Sequence, residues 1–294
     1  MLAIFSVPKP FKGHIGIIQR NAIRSWRRLR GDVEVILCGD EPGTKEMADE
    51  VHATYLPQIT RSEYGTPLIN SVFEQAERAA HSRLMCYVNA DIVLLSDFAT
   101  AMQRIGFSRF LMVGQRWDVD VTEPLDFEQH DWERALRSLV AVRGKLHPPM
   151  GSDYFVFPRN RGVAALPPFA VGRPAWDNWF IYHARRHGVP VVDATRVATI
   201  IHQNHSYDHV PGRRDDTWEG PEADWNRSLL GHSEHIYLLS DASHVLTPTW
   251  LMPTWLAPTV GLKLKRLAGA GIRRCRRSVS LSLRAYHRLI QRLS

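Results

Sequence analysis

The sequence is poor in cysteine. Its 294 residues hold three, Cys38, Cys86 and Cys275, in none of the CxxC or Cys/His spacings that bind zinc. So sparse and odd a set excludes a disulfide framework and suits a reducing compartment. Cys38 and Cys86 each lie in an apolar run and read as buried thiols. No stretch approaches the ~20 uninterrupted apolar residues of a membrane-spanning helix. The opening, MLAIFSVPKPF, has no basic segment before a long apolar core, so no signal peptide is expected. Internal repeats and low-complexity blocks are missing too. The most uneven absence is of acid: residues 259–294 carry ten Lys/Arg and no Asp or Glu. The net charge of +7 therefore comes from this tail, and the rest of the chain is mildly acidic. Such asymmetry points to a polyanionic partner, either anionic lipid or nucleic acid.

What is present is ordinary for a soluble globular protein: 44% hydrophobic and 23% charged residues, enough to bury a sizeable core. The first half alternates strand and helix signals. Strands are predicted at 2–7, 33–38 and near 52–56, and helices at about 15–30 and 43–50. TPLINSVFEQAERAA (66–80) has apolar residues at helical spacing, with Thr66 placed to cap it and Pro67 at its first position. LMCYV (84–88) is too continuously apolar to face water. This alternation predicts βαβ units and a mostly parallel sheet with helices on both faces. In the second half, 110–117 reads as a strand and an acidic, irregular stretch follows. A helix is expected near 131–144, a strand at 152–158 and a helix at 176–188. VPVVDA and VATIIHQN read as two further strands.

The stretch LMCYVNADIVLLSD places Asn89 and Asp91 between two apolar runs. In an open α/β sheet, ligands bind beyond the carboxyl ends of the strands. Side chains two residues apart in extended chain share a face. A carboxylate at that place, beside a nucleotide crevice, suits Mg²⁺ or Mn²⁺ held jointly by protein and diphosphate. Asn89 and Asp91 could instead be simple turn residues between strands.

Residues 1–240, through this strand order and VNADIVLLSDF, resemble GT-A-fold nucleotide-sugar glycosyltransferases. Asn89-Ala90-Asp91 stands where that group has Asp-x-Asp, with Asn89 in place of the first acid. The resemblance implies that Asp91 binds the metal and that Asn89 hydrogen-bonds the sugar or ribose. It implies that Ser6, Pro8 and Lys9, at the end of the first strand, hold the nucleotide. Asp40 would read base or ribose. The helix opened by Thr66 would turn its N–H groups to phosphate, with Asn70 one turn inside it. A late histidine completes the metal site in many members of the group. His202, directly after VATII, is the first choice here and His205 the second. A zinc site is the alternative chemistry for IIHQNHSYDH, though no HExxH pattern supports it.

In the second half, GSDYFVFP is followed by GRPAWDNWFIYHARRHG. By the same resemblance, a carboxylate at the start of this helix is the general base of an inverting enzyme. Asp177, flanked by Trp176 and Trp179, takes that place, and Asp153 is the competing base or acceptor ligand. The aromatic faces suit a sugar-binding cleft.

The organisation expected is a GT-A-like catalytic domain over 1–245, with a nucleotide-sugar half (1–115) and an acceptor half (116–245). A proline-rich connector and a basic amphipathic helix would follow over 246–294. In that tail Val279, Leu283, Tyr286, Ile290 and Leu293 share one face and Arg284, Arg288 and Arg292 the other. This reads as a membrane-surface helix. No nucleic-acid motif accompanies it, so membrane is favoured over nucleic acid. The expected activity is inverting transfer from a nucleotide-diphosphate sugar, taken as a UDP-sugar, to a glycan or lipid-linked acceptor. Its setting would be bacterial surface polysaccharide assembly on the cytoplasmic face of the membrane. The alternatives are a non-catalytic nucleotide-binding module with a nucleic-acid-binding tail, and a sugar nucleotidyltransferase. The latter is disfavoured because no Gly-rich phosphate loop follows the first strand.

Overall fold

Leu2–Ser6 form a strand, β1, whose five residues are all buried. Strand alternation sends Leu2 and Ile4 into one apolar layer and Ala3 and Phe5 into another on the opposite face. A strand buried on both sides needs cover on both sides, and the chain supplies it. The computed structural model describes residues 1–205 and 218–256. In chain order β1 is followed by α1 (Gly13–Arg27), β2 (Val33–Cys38), α2 (Thr44–Glu50), β3 (Thr54–Leu56), α3 (Ile69–Ala79), β4 (Leu84–Val88), β5 (Ile92–Leu94) and α4 (Ser96–Gln103). Next come β6 (Leu111–Val113), β7 (Trp117–Val119), α5 (Trp132–Arg143), β8 (Lys145–Leu146), β9 (Tyr154–Pro158) and α6 (Trp176–Arg186). The series ends with β10 (Val191–Asp193), β11 (Ile200–Gln203), α7 (Pro221–Leu230), β12 (His244–Leu246) and β13 (Leu251–Pro253).

Nine strands form the main sheet in the order β13-β12-β10-β6-β9-β4-β1-β2-β3. Most pairs are parallel; β9 runs antiparallel to both β4 and β6, and β13 is antiparallel to β12. On one face α1, α2 and α4 pack through Ala22, Ile23, Trp26, Met47, Ala48 and Phe98. On the other, α3 and α6 pack through Val72, Phe73, Ala76, Phe180 and Ile181. There the Phe5 ring meets Phe73 edge-on at 4.9 Å, and Phe73 stacks on Phe157 at 5.7 Å. The fold class expected from the sequence is the one observed. Because β9 lies between β4 and β6, the supposed nucleotide and acceptor halves share one sheet.

A second sheet, β5-β11-β7-β8, covers the carboxyl end of β4. It packs on α5 through Val93, Val119, Leu136, Val140 and Ile201. Its existence corrects the expectation of a single strand over 110–117. The chain leaves the main sheet after Val113 and enters the small one at Trp117. Gly114 permits the crossing: a Cβ there would stand 2.5 Å from the Tyr154 hydroxyl.

Two further expectations are corrected. Helix α3 starts at Ile69 after Leu68, and no side chain caps it; Thr66 bonds elsewhere. The connector expected at 246–259 contains β13, whose residues 251–253 pair with β12 and extend the main sheet. The amphipathic helix expected in the tail lies outside the described residues.

One buried polar network ties the sheets together. Gln203, fully buried, donates to the Asp91 carbonyl at 3.0 Å and to the Ile18 carbonyl at 2.8 Å, and accepts from Asn21 at 3.0 Å. Asn21 also donates to the Glu123 carbonyl and accepts from the Leu125 N–H. Removing one member strands the others without partners, at about 1–3 kcal/mol for each group. Gln203→Ala is therefore expected to lower the melting temperature by roughly 5 °C or more. A thermal melt checks this, and an unchanged midpoint would contradict the network.

Candidate active site

Parallel pairing of β1 with β2 and β4 brings three strand ends to one edge of the sheet. Ser6, Pro8 and Lys9 follow β1, Asp40 follows β2, and Asn89 and Asp91 follow β4. The Ser6 hydroxyl donates to the Val88 carbonyl at 2.6 Å and locks two of these ends together. Pro8 is buried. Gln19 fixes the turn after β1, accepting from the Lys9 N–H at 2.6 Å and donating to the Lys9 carbonyl at 2.8 Å. Burial lowers the pKa of the Lys9 ammonium, and the nearby Asp91 charge partly offsets this.

Asp91 sits between β4 and β5. The antiparallel pairing of β5 with β11 sets His202 opposite Ile92, next in sequence to Asp91. His205 Nε2 lies 3.2 Å from Asp91 Oδ2, and His202 Nε2 lies 3.9 Å from it. One ligand atom from each of Asp91, His202 and His205 falls within 4.8 Å of the others. Burial alone would raise the Asp91 pKa. The His205 hydrogen bond and the charges of His202 and Lys9 outweigh it and hold the carboxyl well below the usual range. Its second oxygen, Oδ1, is buried without a hydrogen-bond partner among the described residues. A buried, ionised oxygen with no donor, beside two imidazoles, is a donor set fit for a divalent cation.

Around this trio lies a layer of charge that the sequence did not reveal. The parallel register of β11 and β7 makes His202 and Asp118 cross-strand partners. His202 Nδ1 stands 3.1 Å from Asp118 Oδ1, off the angle of a hydrogen bond. Asp118 also receives Arg116 Nε at 2.8 Å and His147 Nδ1 at 2.7 Å. Burial raises its pKa, but these three partners more than reverse that and keep it ionised. Arg116 reaches on to Asp153 Oδ2 at 2.5 Å. Burial disfavours its charge, and Asp153 and Asp118 together overcome that. Asp153 accepts the Asn89 amide on its other oxygen at 2.8 Å, and its carbonyl accepts the Asn89 N–H at 2.9 Å. Both Asp153 oxygens are thus occupied, an arrangement of a positioning group more than of a base. Asn89 faces Asp153 across the β4–β9 pair.

Asp177 lies in the first turn of α6 and accepts the Ser152 N–H on Oδ2 at 3.2 Å. Its pKa is raised from 3.8 to about 6. Burial is the main cause; backbone N–H groups of Asn178 and Ser152 oppose it, and the Asp153 charge adds to it. Trp176, expected to flank the sugar cleft, is buried against Tyr87 and Phe155. Trp179 is half-buried and stacks on His183 at 4.7 Å.

The remaining expected residues are more scattered in their bonding. Asp40 is largely exposed and pairs with Arg61 at 2.5 Å; Arg61 also holds Glu41 at 3.0 Å. Asn70 keeps its place in the first turn of α3, with Oδ1 buried and unpartnered among the described residues. Thr66 donates to Glu222 Oε2 at 2.8 Å. Ser62 and Arg173 meet the same buried carboxylate at 2.5 and 2.7 Å, clasping α7 to the loop before α3. The first N–H of α3, that of Ile69, is taken by the Phe169 carbonyl at 2.8 Å.

No family model and no curated protein matches the chain by sequence. Solved structures do match by shape. GalNAc-T7 with UDP, GalNAc and Mn²⁺ aligns at TM-score 0.51 and 13% identity, over 79% of this chain and 48% of that one. A mannosyltransferase from Pyrobaculum calidifontis with GDP-Man and Mn²⁺ aligns at 0.44 and 14%, over 70% and 58%. Glucosyl-3-phosphoglycerate synthase from Mycobacterium tuberculosis with Mg²⁺ and UDP aligns at 0.43 and 12%, over 78% of each. The chain spans about half the length of the GalNAc-T7 chain, and only 22% of one TarS chain from S. aureus. At 13% identity the likeness to GalNAc-T7 establishes the fold alone. The chain has a GT-A-like fold, the architecture of nucleotide-sugar glycosyltransferases, with its Asp/His/His cluster beyond the carboxyl end of β4.

If Asp91 is the central ligand, Asp91→Ala should weaken Mn²⁺ binding by at least about a hundredfold, with the circular dichroism spectrum unchanged. Titration followed by the free-Mn²⁺ electron paramagnetic resonance signal measures it directly. Wild-type affinity in the variant would end the assignment.

Proposed function

We propose that the chain is a glycosyltransferase that moves a sugar from a nucleoside-diphosphate donor, a UDP-sugar, to a hydroxyl of a glycan or lipid-linked acceptor with inversion. The observation that carries this reading is the Asp91, His202 and His205 cluster, whose ligand atoms lie within 4.8 Å of one another, in a fold that also shifts two carboxylates in opposite directions. Asp91 is held ionised among imidazoles, and Asp177 is raised to about 6. Environments that push two acids apart divide their roles.

In this reading Asp91, His202 and His205 would hold a divalent cation, which would supply positive charge to offset that of the departing diphosphate. Two imidazoles beside one carboxylate favour Mn²⁺ over the oxygen-seeking Mg²⁺. Ser6, Pro8 and Lys9 line the nucleotide side, and Asn89 meets the ribose or sugar. Asp177 takes the proton of the acceptor hydroxyl as that oxygen bonds to the anomeric carbon. The anomeric C–O bond to the diphosphate breaks, and its electron pair leaves with the nucleoside diphosphate. Asp153 stays fixed between Asn89 and Arg116 and keeps the donor and acceptor strands in register.

The basic run at 259–294 supports a place on an anionic membrane surface, on the cytoplasmic side, where a lipid-linked precursor of a bacterial surface polysaccharide would be met. Among the described residues no helix is long and apolar enough to cross a membrane.

A thermal-shift panel of UDP-, GDP-, CMP- and dTDP-sugars with and without Mn²⁺ tests the donor. At a hundred times its dissociation constant a ligand adds about 2.7 kcal/mol, a shift of several degrees. The expected result is a shift with one UDP-sugar that needs Mn²⁺. No shift with any donor would favour a non-catalytic module.

Asp177→Asn should lower kcat by about 10²–10⁴-fold and leave the donor shift intact. The base must be ionised, so wild-type activity should fall as pH drops through about 6. The stability sign is the reverse. The raised pKa means folding favours neutral Asp177, an advantage complete below the ordinary value of 3.8 and lost as pH rises through about 6. The variant should therefore melt higher than wild type at pH 8 and no higher at pH 3.5. Near-normal kcat with lowered stability would mark Asp177 as a structural helix acid.

A further inference from the structure

The last described residues present apolar surface where a soluble chain would be expected to hide it. Trp250, Trp255 and Leu256 are 68%, 68% and 55% exposed, three large apolar groups within seven residues. They are displayed on a fixed frame. The turn between β12 and β13 is closed by Thr247 N–H to the Trp250 carbonyl at 2.8 Å and Trp250 N–H to the Thr247 hydroxyl at 3.0 Å. After β13, Thr254 donates its N–H to the Ser243 carbonyl at 2.9 Å and its hydroxyl to the Ala242 carbonyl at 3.1 Å. The tryptophans are therefore held outward by the sheet.

We propose that this β12–β13 hairpin docks the chain on an anionic lipid surface, with Trp250 and Trp255 entering the headgroup region. The inference rests on the membrane reading of the basic run and adds a contact point within the folded part. Three observations select lipid. Tryptophan, apolar in body and polar at one edge, is the residue of the membrane–water interface. The sequence directly after Leu256 brings ten Lys/Arg and no acid over 259–294, complementary to an anionic leaflet. The hairpin is also poorly built for a second copy of the chain. β13 is an outer strand of the main sheet, but Pro253, one of its three residues, lacks the N–H group that strand addition would use. The occupant is a bilayer carrying negative charge.

The test uses the full chain and a W250S/W255S variant with two vesicle types, pure phosphatidylcholine and phosphatidylcholine mixed with phosphatidylglycerol. Wild type should sediment with the mixed vesicles only. The variant should bind them at least about tenfold more weakly, with an unchanged melting temperature. Vesicles made with brominated lipid should quench part of the wild-type tryptophan emission, and that part should vanish in W250F/W255F. If wild type sediments with neither vesicle, the membrane reading and the hairpin proposal both fail. If it sediments but both variants bind and quench as wild type does, the hairpin proposal alone fails. Displacement of mixed vesicles by RNA with no lipid quenching would assign the basic run to nucleic acid. A dimer that W250S/W255S converts to monomer, with no vesicle binding, would assign the hairpin to a second copy. Either of these results overturns the proposal.

Discussion

The carboxylate of Asp91 is the constraint to which the rest of the site answers. It is placed where a buried parallel strand ends, and burial by itself would drive it neutral. Keeping it ionised requires positive or hydrogen-donating partners within reach of at least one oxygen. The chain supplies them by returning, over a hundred residues later, with β11 laid between β5 and β7. That insertion sets His202 and His205 against one oxygen of Asp91 and Gln203 against its carbonyl. The small sheet is thus a device for surrounding one charge. Its apolar side, packed on α5, fixes the register on which the arrangement depends, because a slip of one residue in β11 would turn His202 away and bring Ile201 or Gln203 into its place.

From Asp91 the electrostatic arrangement runs outward in alternating sign. His202 faces Asp118, Asp118 holds Arg116 and His147, and Arg116 holds Asp153. Asp153 is joined to Asn89, and its charge is felt by Asp177. Charges taken out of water persist only when paired and hydrogen-bonded. Among the described residues Asp177 has backbone donors but no cation beside it, so it is the one acid of the group pushed upward. The end of β4 thus carries a locked anion and the start of α6 an acid poised to change its protonation.

Much of this was legible in the sequence because it is local. The β1–α1–β2 series, the buried run Leu84–Val88 and the Asn89–Asp91 turn depend on residues within a few positions of each other. The parallel fold came from the alternation of strands and helices, and the nomination of Asp91, His202 and His205 from the resemblance to GT-A enzymes. What escaped notice depends on long-range pairing. Arg116 and Asp118 sit two residues apart around Trp117, the alternation of a half-buried strand, yet Arg116 read as the end of one strand and Asp118 as the start of an acidic loop. Gly114, which lets the chain change sheets, announced nothing. Glu222 draws Thr66 into a clasp from a distance of 156 positions, and no spacing rule anticipates that. The 246–256 segment misled for a physical reason: prolines suggested a connector, but an edge strand tolerates proline where a central one would not.

The central claim is that Asp91, His202 and His205 form one cation site serving a nucleoside diphosphate. A crystal grown with UDP and Mn²⁺, measured at the manganese absorption edge, addresses it most directly. The account predicts a single anomalous peak within coordinating distance of Asp91 and both histidines, with the diphosphate of UDP on its open side. A peak held by other residues, or UDP bound away from the carboxyl end of β4, would contradict it.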